Sequence, residues 1–357
     1  MENQYSIQVQ SSQFQYKIEI GSRLVGERIQ AGSIVITDER FLPIFKGLTD
    51  RVISIKPTEN TKNIDTAKTI LTQMVEMRVD RESELIAVGG GVIQDLSTFV
   101  AANYMRGIKW GYFPTSLMAM LDSCIGGKSS LNVSHYKNLI GNFYPPSQVI
   151  IDLDFIRTLS PIDIGAGMLE GIKICYARNV DSYLEFKSNL NSLTQGDDSK
   201  FRDIIFTSLS AKKWFVEEDE KDTAERRLLN FGHTFGHALE SSTDFLIPHG
   251  LAVGMGIKAA SIFANDFQEQ DEILRDLLEE VNEILTRSGF NFESLSNAFD
   301  KRKFETSFSQ DKKHNAQNFR MILPKSKNLE IMEFPKNAQI LESVSQAMQK
   351  SIGSMCK

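Results

Sequence analysis

The sequence predicts an α/β domain over residues 1–158 followed by a mainly α-helical domain over residues 159–357. Three observations carry that expectation. Short apolar runs alternate with helical periodicity through the first part of the chain, the pattern of a parallel sheet with covering helices. The character changes after Val149-Ile150-Ile151-Asp152. From Pro161 to about Phe299 the pattern is helical, with few strand candidates.

Composition sets the limits. The chain has 357 residues, 41% of them hydrophobic, with a net charge of −6. That suits two domains and gives no basic footprint for nucleic acid. An anionic ligand would need a local basic pocket. No apolar run is long enough to span a membrane. Met1-Glu2-Asn3-Gln4-Tyr5-Ser6 lacks the basic-then-apolar order of a signal peptide. Cys124, Cys175 and Cys356 are scattered and odd in number, which fits a reducing cytoplasm better than a disulfide framework.

Taken in order, Phe14 to Ile20 reads as a strand. Gly32 to Asp38 is a short buried strand ending in an acid, and Val52 to Ile55 is another. Ile64 to Met77 has helical periodicity. Glu84 to Val88 runs straight into Gly89-Gly90-Gly91, which opens a helix from Val92 to Tyr104. Glycines between strand and helix let a phosphate approach the backbone and the helix N-terminus. Gln94 stands where a strict GxGxxG has its last glycine, so a tight strand-to-helix turn explains the run equally well. Trp110 to Ser116 is a strand stopped by Pro114. Asp122-Ser123-Cys124-Ile125-Gly126-Gly127-Lys128-Ser129 imitates a P-loop only at its end, because Asp122 replaces the first glycine. Lys128 and Lys137-Asn138 beside the glycine pair still suit an anion.

In the second half, Glu170 and Lys173 fall on one helix face, as a surface ion pair would. Ser208 to Val216 is a helix carrying Lys212. The stretch from Asn230 to Glu240 holds two of the five histidines. Read as one helix, residues 226, 230, 233 and 237 form a single stripe of Arg226, Asn230, His233 and His237. A polar stripe at core spacing points to a lined site; a solvated face is the bland alternative. Glu170, His233 and His249 are the one metal triad that this half assembles. Two histidines and a carboxylate leave a coordination position open, as catalytic zinc requires. Asn318 to Pro324 and Leu329 to Phe334 read as late strands around a Lys-Ser-Lys turn, preceded by Asp311-Lys312-Lys313.

From about Glu59 to Pro324 the chain resembles the 3-dehydroquinate synthase family of sugar-phosphate cyclases. The motifs are Gly-Gly-Gly-Val-Ile-Gln-Asp at 89–95, Tyr-Met-Arg-Gly at 104–107, Asp-Ser-Cys-Ile-Gly-Gly-Lys at 122–128, Lys-Asn at 137–138, Glu-Gly-Ile-Lys at 170–173 and Asn-Phe-Gly-His-Thr-Phe-Gly-His at 230–237. The resemblance implies an NAD-binding α/β domain, a helical metal-binding domain and an active site in the cleft between them. It implies NAD as a recycled catalyst, a divalent metal (usually zinc, with cobalt as the other candidate) and a cytoplasmic homodimer. Glu170, His233 and His249 match the metal ligands. Asp38, Glu59 and Lys62 match positions around the adenosine, and Gly90, Gly91 and Asp95 the pyrophosphate loop and ribose. Thr115, Ser116, Phe155, Thr158 and Leu159 match further NAD contacts, and Lys137 a position near the nicotinamide. Asp122, Lys128, Asn138, Lys173, Lys212, Arg226, Asn230 and His237 match substrate positions. Arg106 resembles an arginine reaching the substrate phosphate from the partner subunit, and one of Lys312 and Lys313 a late carboxylate-binding lysine.

The implied reaction takes 3-deoxy-arabino-heptulosonate 7-phosphate to 3-dehydroquinate and phosphate. Gln94, Ser130, Gly171 and Leu251 depart from the family's usual residues. The alternatives are a cyclase for sedoheptulose 7-phosphate or glucose 6-phosphate, a metal-dependent polyol dehydrogenase, and a non-catalytic sugar-phosphate-binding relative.

Overall fold

The computed structural model describes residues 5–134, 136–267 and 269–356; Met1 to Gln4, the larger part of the segment read for a signal peptide, lie outside them. The chain forms two compact units. One comprises residues 1–159 and 197–221, the other residues 160–196 and 222–357.

The first unit is built on a seven-stranded sheet. Its strands are β1 (Tyr5–Gln10), β2 (Gln15–Gly21), β3 (Ile34–Asp38), β4 (Val52–Ile55), β5 (Leu85–Gly89), β6 (Trp110–Pro114) and β9 (Gln148–Asp152), with β7 (Leu131–Val133) and β8 (Tyr136–Ile140) as a separate hairpin. The order is β1-β2-β9-β6-β5-β3-β4. Every pairing is parallel except β1 with β2 at the edge. β3, β5 and β6 are buried along their whole length, which is why they read as continuous apolar runs and not as alternations. Helix α1 (Val25–Arg28) is one short turn. In α2 (Ile64–Glu76), Ala67, Ile70 and Met74 turn one face inward, and Asn63 caps its start by accepting from the Thr66 amide. α3 (Gly91–Asn103) follows the triple glycine directly.

After β3 the chain crosses to β4 on one side; after β5 it crosses to β6 on the other. The C-terminal ends of β3 and β5 therefore flank a topological switch point, where open α/β sheets bind ligands.

The single boundary expected near residue 158 needs correcting, because residues 197–221 rejoin the first unit. They contain the helix Lys200–Glu218, expected to belong with the helical part. Its inner face is claimed locally. The Phe206 ring meets Tyr5 of β1 edge-on at 5.1 Å, and the Ser208 hydroxyl donates to the Leu121 carbonyl at 2.8 Å.

The second unit is mainly helical. It contains α4 (Pro161–Arg178) and α5 (Val180–Thr194). With α6 denoting Lys200–Glu218, the unit continues as α7 (His233–Ser242), α8 (His249–Ala264), α9 (Glu272–Arg287), α10 (Phe292–Ala298), α11 (Lys301–Ser309) and α12 (Ala338–Gly353). α4 opens on Pro161 behind a Ser160–Asp163 capping box. α8 is buried on nearly all sides. Backbones close in on it at glycine. A Cβ on Gly256 would lie 2.0 Å from the Gly232 carbonyl oxygen, and one on Gly250 would lie 2.2 Å from that of Ala166. The late strands are β10 (Asn318–Lys325) and β11 (Asn328–Pro335), an antiparallel hairpin. Its turn residues, Ser326 and Lys327, both have positive φ, as a type I′ hairpin requires.

The expected single helix carrying Arg226, Asn230, His233 and His237 is not formed. Glu225–Asn230 is a 3-10 turn, Gly232 has φ of +77°, and α7 begins only at His233. A Cβ on Gly232 would lie 2.7 Å from the Val253 carbonyl oxygen. The close approach of α8 thus forces a chain reversal that periodicity does not reveal.

Candidate metal, cofactor and substrate sites

In the second unit α4, α7 and α8 bring four side chains to one point. Glu170 is 1% exposed and Lys173 2% exposed. Lys173 Nζ donates to Glu170 Oε2 at 2.5 Å. The other oxygen, Oε1, faces His233 Nε2 at 3.7 Å and His249 Nε2 at 3.5 Å. Tetrahedral zinc with bonds of about 2.1 Å holds its donors about 3.4 Å apart, so these atoms fit a divalent ion with little movement. The far ring nitrogens are also held. His249 Nδ1 lies 3.1 Å from Glu240 Oε2, and His233 Nδ1 lies 3.4 Å from the Phe231 carbonyl. Carboxylate and carbonyl partners of this kind turn Nε2 toward a metal and fix the tautomer.

His237 is a rival third ligand. Its ring nitrogens approach those of His233 and His249, with all three donors within 4.8 Å of one another. Two features favour Glu170 as the third donor. Its Oε1 lies within 3.7 Å of both Nε2 atoms and supplies negative charge. Among the described residues no hydrogen bond orients His237.

The electrostatics differ ring by ring. Burial, then the Lys173 ammonium, push His233 well below the ordinary histidine range, leaving it neutral as a ligand must be. His237 has a solvent-reached ring edge, but surrounding protein, then Lys313 and His249, lower it well below that range too. Burial opposes a charge on His249, yet the Glu240 hydrogen bond and the Glu240 and Glu170 carboxylates outweigh it and raise its pKa. Lys313 bonds Asp311 at 3.0 Å. Burial works against the Asp311 carboxylate, but the charge and hydrogen bonds of Lys313 prevail and lower its pKa. Arg226 is buried on the 3-10 turn that also carries Asn230. Lys312 is exposed.

In the first unit the positions matched to a dinucleotide gather at the C-terminal ends of β3, β5, β6 and β9. A Cβ on Gly89 would collide with Ile93 at 2.5 Å, whereas one on Gly91 meets nothing within 4 Å. Gly89 thus serves the strand-to-helix turn, and Gly91 leaves open space at the start of α3. The cap residue, Gly90, has no side chain to occupy the amides there, which leaves an anion-ready helix start. Thr115 closes the turn by donating its amide to the Gly89 carbonyl at 3.0 Å. Ser116 caps the next turn through the Ala119 amide. Phe155 meets Phe41 edge-on at 5.0 Å, and Thr158 bonds back to the Phe155 carbonyl, with Leu159 closing that turn. Asp38 has no exposed surface and is bonded to Arg40.

A second polar group links α3 to the β7–β8 hairpin. Lys62 Nζ donates to Asp95 at 3.0 Å and to Asn138 Oδ1 at 2.6 Å, and lies 3.7 Å from Glu59. The Ser130 hydroxyl lies 3.2 Å from Asp95 and 2.8 Å from Asn138 Oδ1. Burial raises the Asp95 pKa against the pull of Lys62. With Oδ1 of Asn138 so engaged, its amide donors must point the other way. Lys137 is exposed on β8. Elsewhere in this unit Lys212 Nζ bonds both the carboxylate and the carbonyl of Asp122 at 2.5 Å. Lys128 Nζ lies 5.9 Å from the Phe143 ring centre. Arg106 is exposed in a run of three positive-φ residues, Met105, Arg106 and Gly107.

Sequence reasoning gives no role to Glu240 or Arg40, and marks Gln94 and Ser130 only as departures from the family's usual residues. Glu240 lies two turns beyond His233 on the same helix, a spacing that could have flagged it. Gln94 bonds Ser123 in both directions at 2.6 Å. Neither Arg40 nor Ser130 has a periodicity that marks it.

A 3-dehydroquinate synthase N-terminal family profile matches residues 52–165, and the corresponding C-terminal profile matches residues 167–314. The chain belongs to the 3-dehydroquinate synthase family. Among curated members, the 3-dehydroquinate synthase of Dictyoglomus turgidum is 34% identical over 339 residues, covering 92% of this chain and 94% of that one. That of Campylobacter jejuni subsp. doylei is 38% identical over 279 residues, 76% and 77% of the two chains. Solved structures share the family's fold. A 2-deoxy-scyllo-inosose synthase complexed with carbaglucose-6-phosphate, NAD+ and Co2+ superposes with TM-score 0.81 at 21% identity, over 97% of this chain and 99% of that one. A 2-epi-5-epi-valiolone synthase from Streptomyces hygroscopicus subsp. jinggangensis, with NAD+ and Zn2+ bound, gives 0.80 at 19% identity, over 94% and 97%.

Proposed function

We propose that this chain converts 3-deoxy-arabino-heptulosonate 7-phosphate to 3-dehydroquinate and inorganic phosphate. The observation that carries it is the Glu170–His233–His249 corner with Lys173 fixed beside it, in a chain whose curated relatives bear that enzyme's name. NAD and a divalent ion would supply reversible oxidation of an alcohol and polarisation of its oxygen. Zinc suits the nitrogen and oxygen donor set, and cobalt is the alternative.

The chain's own residues supply the rest. Glu170, His233 and His249 would hold the ion, and the Gly90–Gly91 turn would take the pyrophosphate. Lys173, held by Glu170, keeps a cation next to the reacting end of the substrate. His237 is neutral near pH 7 and can accept a hydrogen bond or a proton from the bound sugar phosphate. Lys128, Asn138 and Asn230 suit the phosphate. Arg226 suits a carboxylate because its fork donates two parallel hydrogen bonds; Lys212 and one of Lys312 and Lys313 would join it there. A two-fold homodimer in the cytoplasm, with Arg106 reaching the partner's phosphate, completes the proposal. The strained turn at residues 105–107 supports a special task for Arg106.

Phosphate release should be measured with the heptulosonate phosphate, sedoheptulose 7-phosphate and glucose 6-phosphate side by side. The first should turn over best, without net NADH. A best rate on either neutral-headed sugar, or accumulating NADH, rejects the assignment.

A further inference from the structure

On the cofactor assignment just made, we propose that Arg40 sets which adenosine ribose the chain accepts, and that it admits a dinucleotide carrying a 2′-phosphate as well as the unphosphorylated form. Asp38 is the last residue of β3. The parallel register pairs Thr37 with Val88, so Asp38 lies beside Gly89 at the switch point. In doubly wound sheets an acid one strand over from the glycine turn bonds the ribose 2′-hydroxyl, and an arginine there accommodates a 2′-phosphate.

Here the acid is covered. Asp38 is fully buried. Its Oδ1 accepts from the Arg40 amide at 2.9 Å. Its Oδ2 accepts from Arg40 Nε at 2.7 Å and pairs with Nη2 at 2.6 Å. The Arg40 side chain is 69% exposed, and its guanidinium lies 5.5 Å from the Phe41 ring centre. A ribose arriving at this strand end therefore meets a planar cation before it meets a carboxylate. Glu59, the other acid matched to the adenosine, accepts from Asn132 Nδ2 at 2.8 Å and lies 3.7 Å from Lys62 Nζ. Asp38 and Glu59, the two acids matched to the adenosine, each face a cation. Nε and Nη2 are turned on Asp38, and the exposed part of the guanidinium is the cation that a 2′-phosphate would meet through charge-assisted hydrogen bonds.

The test is calorimetric binding of NAD and NADP to the purified full chain and to Arg40→Ala and Arg40→Gln, with no turnover needed. The parent should bind NADP within about tenfold of NAD. Arg40→Ala should shift the ratio toward NAD by at least about tenfold, through weaker NADP binding. Should that variant fail to fold, Arg40→Gln decides by the same criterion, since an amide can still bond Asp38 without the charge. A smaller shift, or parent NADP binding more than about tenfold weaker than NAD, overturns the proposal while leaving the cofactor site standing. A parent that binds neither nucleotide overturns both.

Discussion

Replacing Glu240 with glutamine isolates the part of the metal corner that touches no metal. Glu240 Oε2 lies 3.1 Å from His249 Nδ1, and its side chain is 13% exposed, so solvent screens the contact little. The change keeps the shape and a possible hydrogen bond but removes the charge that favours a proton on Nδ1. Loss of an outer carboxylate of this type costs about 10–100-fold in metal affinity, or about 1.4–2.7 kcal/mol. Competition against a chromophoric chelator reads the affinity directly. Two companions make the result decisive. Glu170→Gln should lose more affinity than Glu240→Gln, because it removes a donor. His237→Ala should keep affinity within about threefold of the parent, because no hydrogen bond orients that ring for a metal. Parent-like affinity in Glu240→Gln would refute the orienting role of Glu240, and a collapse in His237→Ala with Glu170→Gln intact would transfer the third ligand from Glu170 to His237.

Other outcomes follow from the same geometry. Gly232→Ala should destabilise the chain by roughly 3 kcal/mol or more and weaken metal binding, since the position combines positive φ with a backbone collision; thermal melting and metal titration check it. His314 donates from Nε2 to the Phe308 carbonyl at 2.8 Å and accepts the Arg320 amide at Nδ1 at 3.0 Å, bracing the turn that carries Lys313. His314→Phe should raise KM more than it lowers kcat, with His314→Gln partly restoring it. Lys258 is buried with Ser354 and Met355 as its partners, and burial lowers its pKa to about 8. The folded chain then holds this proton less tightly than the unfolded chain. Stability should rise as pH climbs from about 8 toward the ordinary lysine value of about 10.4. Lys258→Met should raise stability at pH 7 by on the order of 1–2 kcal/mol, allowing for residual solvent, and flatten that rise in denaturant melts.

The legible parts of the fold are those whose signal is local. β3, β5 and β6 read as continuous apolar runs because both faces are buried, and the glycine run between β5 and α3 marks itself. The metal corner was assembled from residue types alone, and Glu170, His233 and His249 do converge within the second unit. What was illegible depends on partners distant in sequence. Nothing within residues 226–237 announces that α8 will press on Gly232, so a helical stripe was expected across a reversal. Similarly, the helix carrying Lys212 looks like its neighbours in composition; only its packing on Tyr5 and Leu121 returns it to the sheet unit. Glu240 shares a helix face spacing with His233, but its bond to His249 crosses a helix end nine residues on, and that pairing no periodicity announces.

The departures from the family's usual residues bear on substrate, and their surroundings argue that they are structural. Gln94 is 4% exposed, and its amide exchanges two hydrogen bonds with Ser123; it ties α3 to the turn after β6 and points nothing at the glycine loop. Ser130 adds its hydroxyl to Asp95 and Asn138, stiffening the side chain expected to meet phosphate. Leu251 has no exposed surface, so it fills core in the first turn of α8. A carboxylate at that position would need a buried partner, which costs several kcal/mol when missing. None of the three removes a cation from Lys128, Lys173, Lys212 or Arg226, the groups that would distinguish a substrate with both phosphate and carboxylate. On the proposed function, the substitutions would therefore alter how the site is braced, and substrate choice would stay with the guanidinium of Arg226. Arg226→Met should abolish the preference for the heptulosonate phosphate in the side-by-side phosphate-release assay. Unchanged selectivity in that variant would return the choice to the departing residues.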